Sequence, residues 1–239
     1  MELLRQAARL LWKDFLLELR RRESLVTMFF FGALLLFVFQ FAFEISAERA
    51  AEMAPGLLWL AFLFTGTLGL TQLFQAEREN HCLDALLLSP MDRASLYLAK
   101  VSFNLFLMLL VELVIFPLFW VLFNLTSWHL LPTLFFVAFL GTLGFCVLGT
   151  LFSAVTMRAR AKELLLPLIL FPLMIPVILA TIRAMEIILR SGELGEGAAW
   201  LRLLLGFDVI FLTAGFLIFE WVIEAYPPTE LPQAPSRIS

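Results

Sequence analysis

Six apolar stretches, each about twenty residues or longer, divide the chain between Leu25 and Ala225. Each is long enough to cross a bilayer's hydrocarbon core of roughly 30 Å at about 1.5 Å per helical residue. The spans read as Leu25 to Phe43, Pro55 to Phe74, Val101 to Asn124, Leu130 to Val155, Leu164 to Ile182 and Leu203 to Ala225. The predicted fold is therefore all-α, a polytopic membrane protein with six transmembrane helices.

Composition agrees. Of 239 residues, 62% are hydrophobic and 15% charged, and the mean hydropathy is +0.94; a soluble domain of this make-up would lack the polar surface to cover itself. The net charge of −3 argues against nucleic acid as a partner, because a phosphate-binding surface needs clustered Lys and Arg. Cys82 falls in a loop and Cys146 inside the fourth span, so no disulfide between them is expected.

Lys and Arg near membrane ends stay preferentially in the cytoplasm. Arg5, Arg9, Lys13, Arg20, Arg21, Arg22, Arg78, Arg93, Lys100, Arg158, Arg160, Lys162 and Arg237 lie on one side of the six-span map, against Arg49, Arg183, Arg190 and Arg202 on the other. Both termini are predicted to be cytoplasmic. The weakest stretch of this map is Arg183 to Arg202, where Glu186, Glu193 and Glu196 offset the arginines.

Before the first span, Leu3, Leu4, Ala7, Ala8, Leu11, Trp12, Phe15, Leu16 and Leu19 recur at helical spacing, with Glu2, Gln6, Arg9, Lys13 and Arg20 on the opposite side. Residues 1–23 read as an amphipathic helix lying in the membrane interface. A cleaved signal peptide is the competing reading, but its basic and apolar regions would both be too long.

The second loop, 75–100, is the largest and most patterned. Glu77, Arg78, Glu79 and Asp84 surround an apolar run that ends in Leu86, Leu87 and Leu88. Ser89 is placed to cap a following helix, with Pro90 at its first position and Asp92 at its third. Two short helices with a turn are expected there. Residues 191–197 read as a flexible stretch on the outer surface, and 227–239, with Pro227, Pro228, Pro232 and Pro235, as a tail unable to form a helix.

In the fourth span Ala138, Thr142, Cys146 and Thr150 recur every four residues, flanked by Gly141, Gly144, Gly149 and Ser153. Such a face allows close helix approach. Pro167, Pro172 and Pro176 remove backbone donors from the fifth span and predict kinks.

The run from Met53 to Trp59 (MAPGLLW), the stretch from Leu73 through LLLSP (Leu86 to Pro90) to Lys100, the GTLG step from Gly141 to Gly144 and the run LLLPLILFPLMIP from Leu164 to Pro176 resemble the haem exporter protein B family, CcmB. The similarity covers nearly the whole chain apart from the tail. In one departure, Asn80, His81 and Cys82 stand where that family often carries a Gly after an acidic or amide residue, so the tightness of that turn is not carried over.

The resemblance implies an ABC-2-type transmembrane domain over 1–226 and the role of permease subunit in the CcmABCD complex of cytochrome c maturation, in the bacterial inner membrane. It implies three kinds of partner: an ABC ATPase subunit, a haem-handling membrane subunit and a small membrane subunit, with two copies of the permease in the usual arrangement. The sequence has no Gly-x-x-x-x-Gly-Lys, so ATP would be used by the partner. Loop 75–100 would then be the coupling loop, with Leu86, Leu87 and Leu88 filling an apolar groove and Glu77, Arg78, Glu79 and Asp84 at the rim; a solvated charged loop is the plainer alternative.

Acids inside a membrane cost on the order of 2.5–3.5 kcal/mol each at mid-bilayer. Glu112 lies centrally in the third span, Asp208 in the first third of the sixth, and Glu220 and Glu224 nearer its end. Glu112 is expected either to shape a substrate path or to hydrogen-bond a neighbouring helix. If haem is the substrate, His129, beside Trp128 at the outer boundary, is the candidate ligand, against the reading of both residues as interfacial anchors. His81 is a weaker candidate, and the methionines read as packing. No metalloprotease or nucleophile-elbow motif occurs, which argues against an enzyme. Two rivals stand beside haem export: an ABC-2 permease for another lipophilic substrate, and a non-transporting membrane assembly factor that uses the motor to release a haem-loaded chaperone.

Overall fold

A computed structural model describes residues 2–43, 47–74, 91–125, 127–157, 159 and 161–224. Seven long helices run α1 (Glu2–Arg21), α2 (Glu23–Phe43), α3 (Ala47–Gln72), α4 (Arg93–Leu122), α5 (Leu131–Thr156), α6 (Lys162–Ser191) and α7 (Ala198–Glu224). Short 3-10 turns at Trp128–Leu130 and Gly195–Gly197 precede α5 and α7. The six helices α2 to α7 are each long and apolar enough to cross a membrane.

α1 and α2 meet at a one-residue elbow. Arg22 adopts a left-handed conformation (φ 54°), a sharp break in helix direction that a non-glycine residue reaches only at a cost. Glu18 holds both sides of it: its carbonyl accepts the Arg22 N–H at 2.6 Å, and its carboxylate accepts the Leu25 N–H at 2.9 Å, satisfying a donor in the first turn of α2.

The third span is longer than hydropathy alone predicts. Asp92 accepts the Ala94 N–H at 3.0 Å and is itself the N-cap, not the third helical residue. Arg93 to Lys100 thus belong to α4, whose 30 residues extend about 45 Å. Its far end closes with Asn124 left-handed (φ 53°) and with Asn124 and Leu125 N–H groups bonded back to Val121 and Trp120 carbonyls at 3.3 and 3.1 Å, a Schellman ending. α6 likewise continues through Arg183 and Arg190 to Ser191 and stops at Gly192 (φ 76°). Arg190 there contacts Glu52 of α3 at 2.8 Å and Glu186 at 3.0 Å, while Arg183 contacts Glu186 at 2.9 Å.

α5 is the hub, packed against α3, α4, α6 and α7. Its glycines explain how. A Cβ on Gly141 would stand 2.5 Å from the Trp59 ring of α3 and 2.6 Å from Thr181 Oγ1 of α6, and one on Gly144 would stand 2.7 Å from Asp208 of α7. Ala138, Thr142, Cys146 and Thr150 are all buried, so the small-residue face is a contact surface as its spacing predicts. α6 turns Leu166, Leu170, Met174, Val177, Thr181, Ala184 and Ile188 inward and leaves Pro172 and Pro176 exposed.

Candidate functional site: the α1 end of the bundle and the embedded acids

The last carbonyls of an α-helix have no partner within the helix. At the C-terminal end of α3 they are supplied from three other helices. Ser153 of α5 donates to the Leu70 carbonyl at 2.7 Å, Lys162 at the start of α6 to Thr71 at 2.9 Å, and Lys100 of α4 to Leu73 at 3.1 Å. Two ammonium groups at a helix C-terminus also suit its partial negative charge. The turn from which the chain leaves the second span is thereby tied to the third, fourth and fifth.

Lys100 is 2% exposed, and its ammonium pairs with Asp14 of α1, 5% exposed, at 3.0 Å. It also stands 5.3 Å from the centre of the Phe74 ring, within cation–π range. Where the chain returns, the Asp92 N–H donates to Gln6 Oε1 of α1 at 3.1 Å. One residue on, Arg93 is paired with Glu224 of α7 and lies 3.8 Å from Glu220. A cavity of about 400 Å³ opens beside the Lys100–Asp14 pair, lined by Asp14, Glu18, Arg21, Glu23, Gln72 and Lys100 among others.

The embedded acids lie deeper and differ in their surroundings. Glu112 is fully buried and accepts a hydrogen bond from the Thr142 hydroxyl of α5. Asp208 is buried on α7 against Gly144 of α5. Glu220 is exposed. The structure therefore brings Glu220 to the α1 end and puts Glu112 and Asp208 in the interior.

His129 and Trp128 are exposed on the 3-10 turn before α5. Among the described residues no group of three or more His, Cys, Asp or Glu is placed to hold a metal ion. Glu77, Arg78, Glu79, Asp84, Leu86, Leu87 and Leu88, with His81, Cys82 and the proline-rich tail, lie outside the described residues. The sequence gives little hint of Asp14, Gln6, Ser153 and Lys162 as contributors. For Asp14 the signal was its spacing: it continues the Ala7 and Leu10 arc of α1, which is the buried one.

The fold defines a class, a multi-pass α-helical membrane protein built around one small-residue helix. The family described as CcmB protein matches residues 5–221, and the chain belongs to it. It is 30% identical to heme exporter protein B of Pseudomonas aeruginosa over 192 residues, 80% of this chain and 86% of that protein. It is 31% identical to heme exporter protein B of Rhodobacter capsulatus over 150 residues, 61% of this chain and 65% of that protein. The corresponding protein of Haemophilus influenzae is 25% identical over 177 residues, 73% of this chain and 78% of that protein.

Proposed function

We propose that this chain is the permease subunit of an ABC-type haem exporter serving cytochrome c maturation. Residues 1–226 form one permease domain in the bacterial inner membrane, with both termini cytoplasmic, two copies per complex, and ATP hydrolysed by a separate chain that docks on the loop between α3 and α4. The haem-handling and small membrane subunits complete the assembly. Family membership and the names of the relatives support the haem-export part of this reading.

The observation that carries the coupling part is the anchoring of both ends of that loop. A force applied to a loop is transmitted only if its feet are fixed to elements that move together. Here the outgoing foot is bonded to α4, α5 and α6 and the returning foot to α7. Loop displacement would thus reach four spans at once. Replacing Leu87 with Asp puts a charge into the proposed apolar contact and should cut copurification of the ATPase chain at least ten-fold at normal membrane insertion. Undiminished copurification rejects the role.

Two versions of this role differ in whether haem passes through the subunit or the subunit only performs mechanical work, such as releasing a haem-loaded chaperone. The bond of Glu112 to Thr142 favours the mechanical version, since the 400 Å³ cavity is lined by other residues.

A further inference from the structure

We propose that α1 is the frame that sets the spacing of the two feet of loop 75–90, gripping the outgoing foot through Asp14 and the returning foot through Gln6. The consequence for ATP-driven work rests on the coupling role proposed above; the geometry does not.

A helix that served only to hold the chain in the membrane interface needs an apolar arc and a polar one. α1 has both: Leu4, Trp12, Leu16 and Leu19 are exposed apolar residues, and Glu2, Arg5 and Arg9 are exposed polar ones. It also has a third arc, Ala7, Leu10 and Asp14, buried against the bundle. Interfacial anchoring gives no reason to bury a carboxylate there. A buried ion pair adds little net stability, because desolvation offsets most of its attraction, and its best-attested use is to fix register. Asp14 and Lys100 fix the rotation and axial position of α1 on α4, and Phe15 packs edge-on against Phe103 and Phe106 of α4 at 5.8 and 4.4 Å.

Through Lys100, Asp14 also acts on the Leu73 carbonyl, in the last described turn before the loop. Gln6 lies eight residues earlier on the same helix, about 12 Å along its axis, and takes the N–H of Asp92, where α4 begins. One stiff rod therefore spans from the point where the chain leaves the bundle to the point where it re-enters. Asp14 and Gln6 are positioning residues: they act through Lys100 and through the Asp92 N–H of α4.

Hydrogen exchange of the full chain, assembled with its partner subunits in lipid nanodiscs, tests this. In Asp14→Asn, amides 71–74 and 91–95 should exchange at least ten-fold faster, and Asp14→Glu should restore them to within about two-fold. Gln6→Ala, at a partly exposed position, should loosen 91–95 alone. Trp12→Ser with Leu16→Ser, on the exposed apolar arc, should leave both feet unchanged. The frame is refuted if Asp14→Asn leaves both feet within two-fold of the parent, or if the exposed-arc variant loosens them equally. Should Asp14→Asn fail to accumulate, unchanged exchange at 91–95 in Gln6→Ala overturns the proposal by itself. Loosened feet in Asp14→Asn together with undiminished ATPase copurification in Leu87→Asp would uphold the frame and reject the docking role of the loop.

Discussion

α2 and α5 are nearly equal in hydropathy, yet 17% of the apolar stretch of α2 is buried against 78% of that of α5. In water, hydropathy separates inside from outside; in lipid it does not, because hydrocarbon is as apolar as leucine. Residue size separates them instead. α2 shows Phe30, Leu34, Phe37 and Phe41 to the surroundings, whereas α5 brings Gly141, Thr142, Gly144, Cys146 and Gly149 into contact with four neighbours. The hub is the span that gives up side-chain volume so that others can approach it, and its Thr142 supplies the hydroxyl that bonds the buried Glu112.

The difference can be broken most severely at Gly141. Leucine there has no room beside the rigid Trp59 ring, and the expected destabilisation reaches or exceeds the roughly 3 kcal/mol typical of strong overpacking, visible as loss of folded protein in detergent melting. A smaller effect is expected for Thr142→Val, which keeps the shape but withdraws the donor from Glu112. Interhelical hydrogen bonds in membranes contribute about 0.6–2 kcal/mol, and thermal or denaturant unfolding in bicelles should register a loss in that range. Phe30→Leu on α2, 67% exposed, should stay within about 0.5 kcal/mol. An α2 substitution as costly as the one at Gly141 would mean that α2 is covered in the working assembly.

Much of the fold was legible because its causes are local in sequence. Six long apolar runs became six spans, and intervals of four small residues became the α5 contact face. The helix ends beyond the hydrocarbon were harder to read. Asp92 was expected inside a helix begun at Ser89, but its own side chain caps Ala94, and only the dihedrals distinguish these. The α1-end contacts were hidden for a different reason. Ser153, Lys162 and Lys100 all donate to backbone carbonyls, acceptors that leave no mark in the residue code. Asp14 escaped because a two-faced reading of α1 leaves no place for a buried acid. Glu112 is recognisable as an embedded acid, but its partner Thr142 lies on another span, in a small-residue pattern that reads as packing.

On the function proposed above, a separate motor acts on this bundle through the loop between α3 and α4. Photo-cross-linking from a benzophenone amino acid at position 87, in the assembled complex in native membranes, tests it most directly. The expected product is an adduct whose mass and digest identify the ATPase chain, formed in good yield and lost when that chain is omitted. Efficient adducts to lipid or to other membrane subunits alone, with the ATPase present at full stoichiometry, would contradict it.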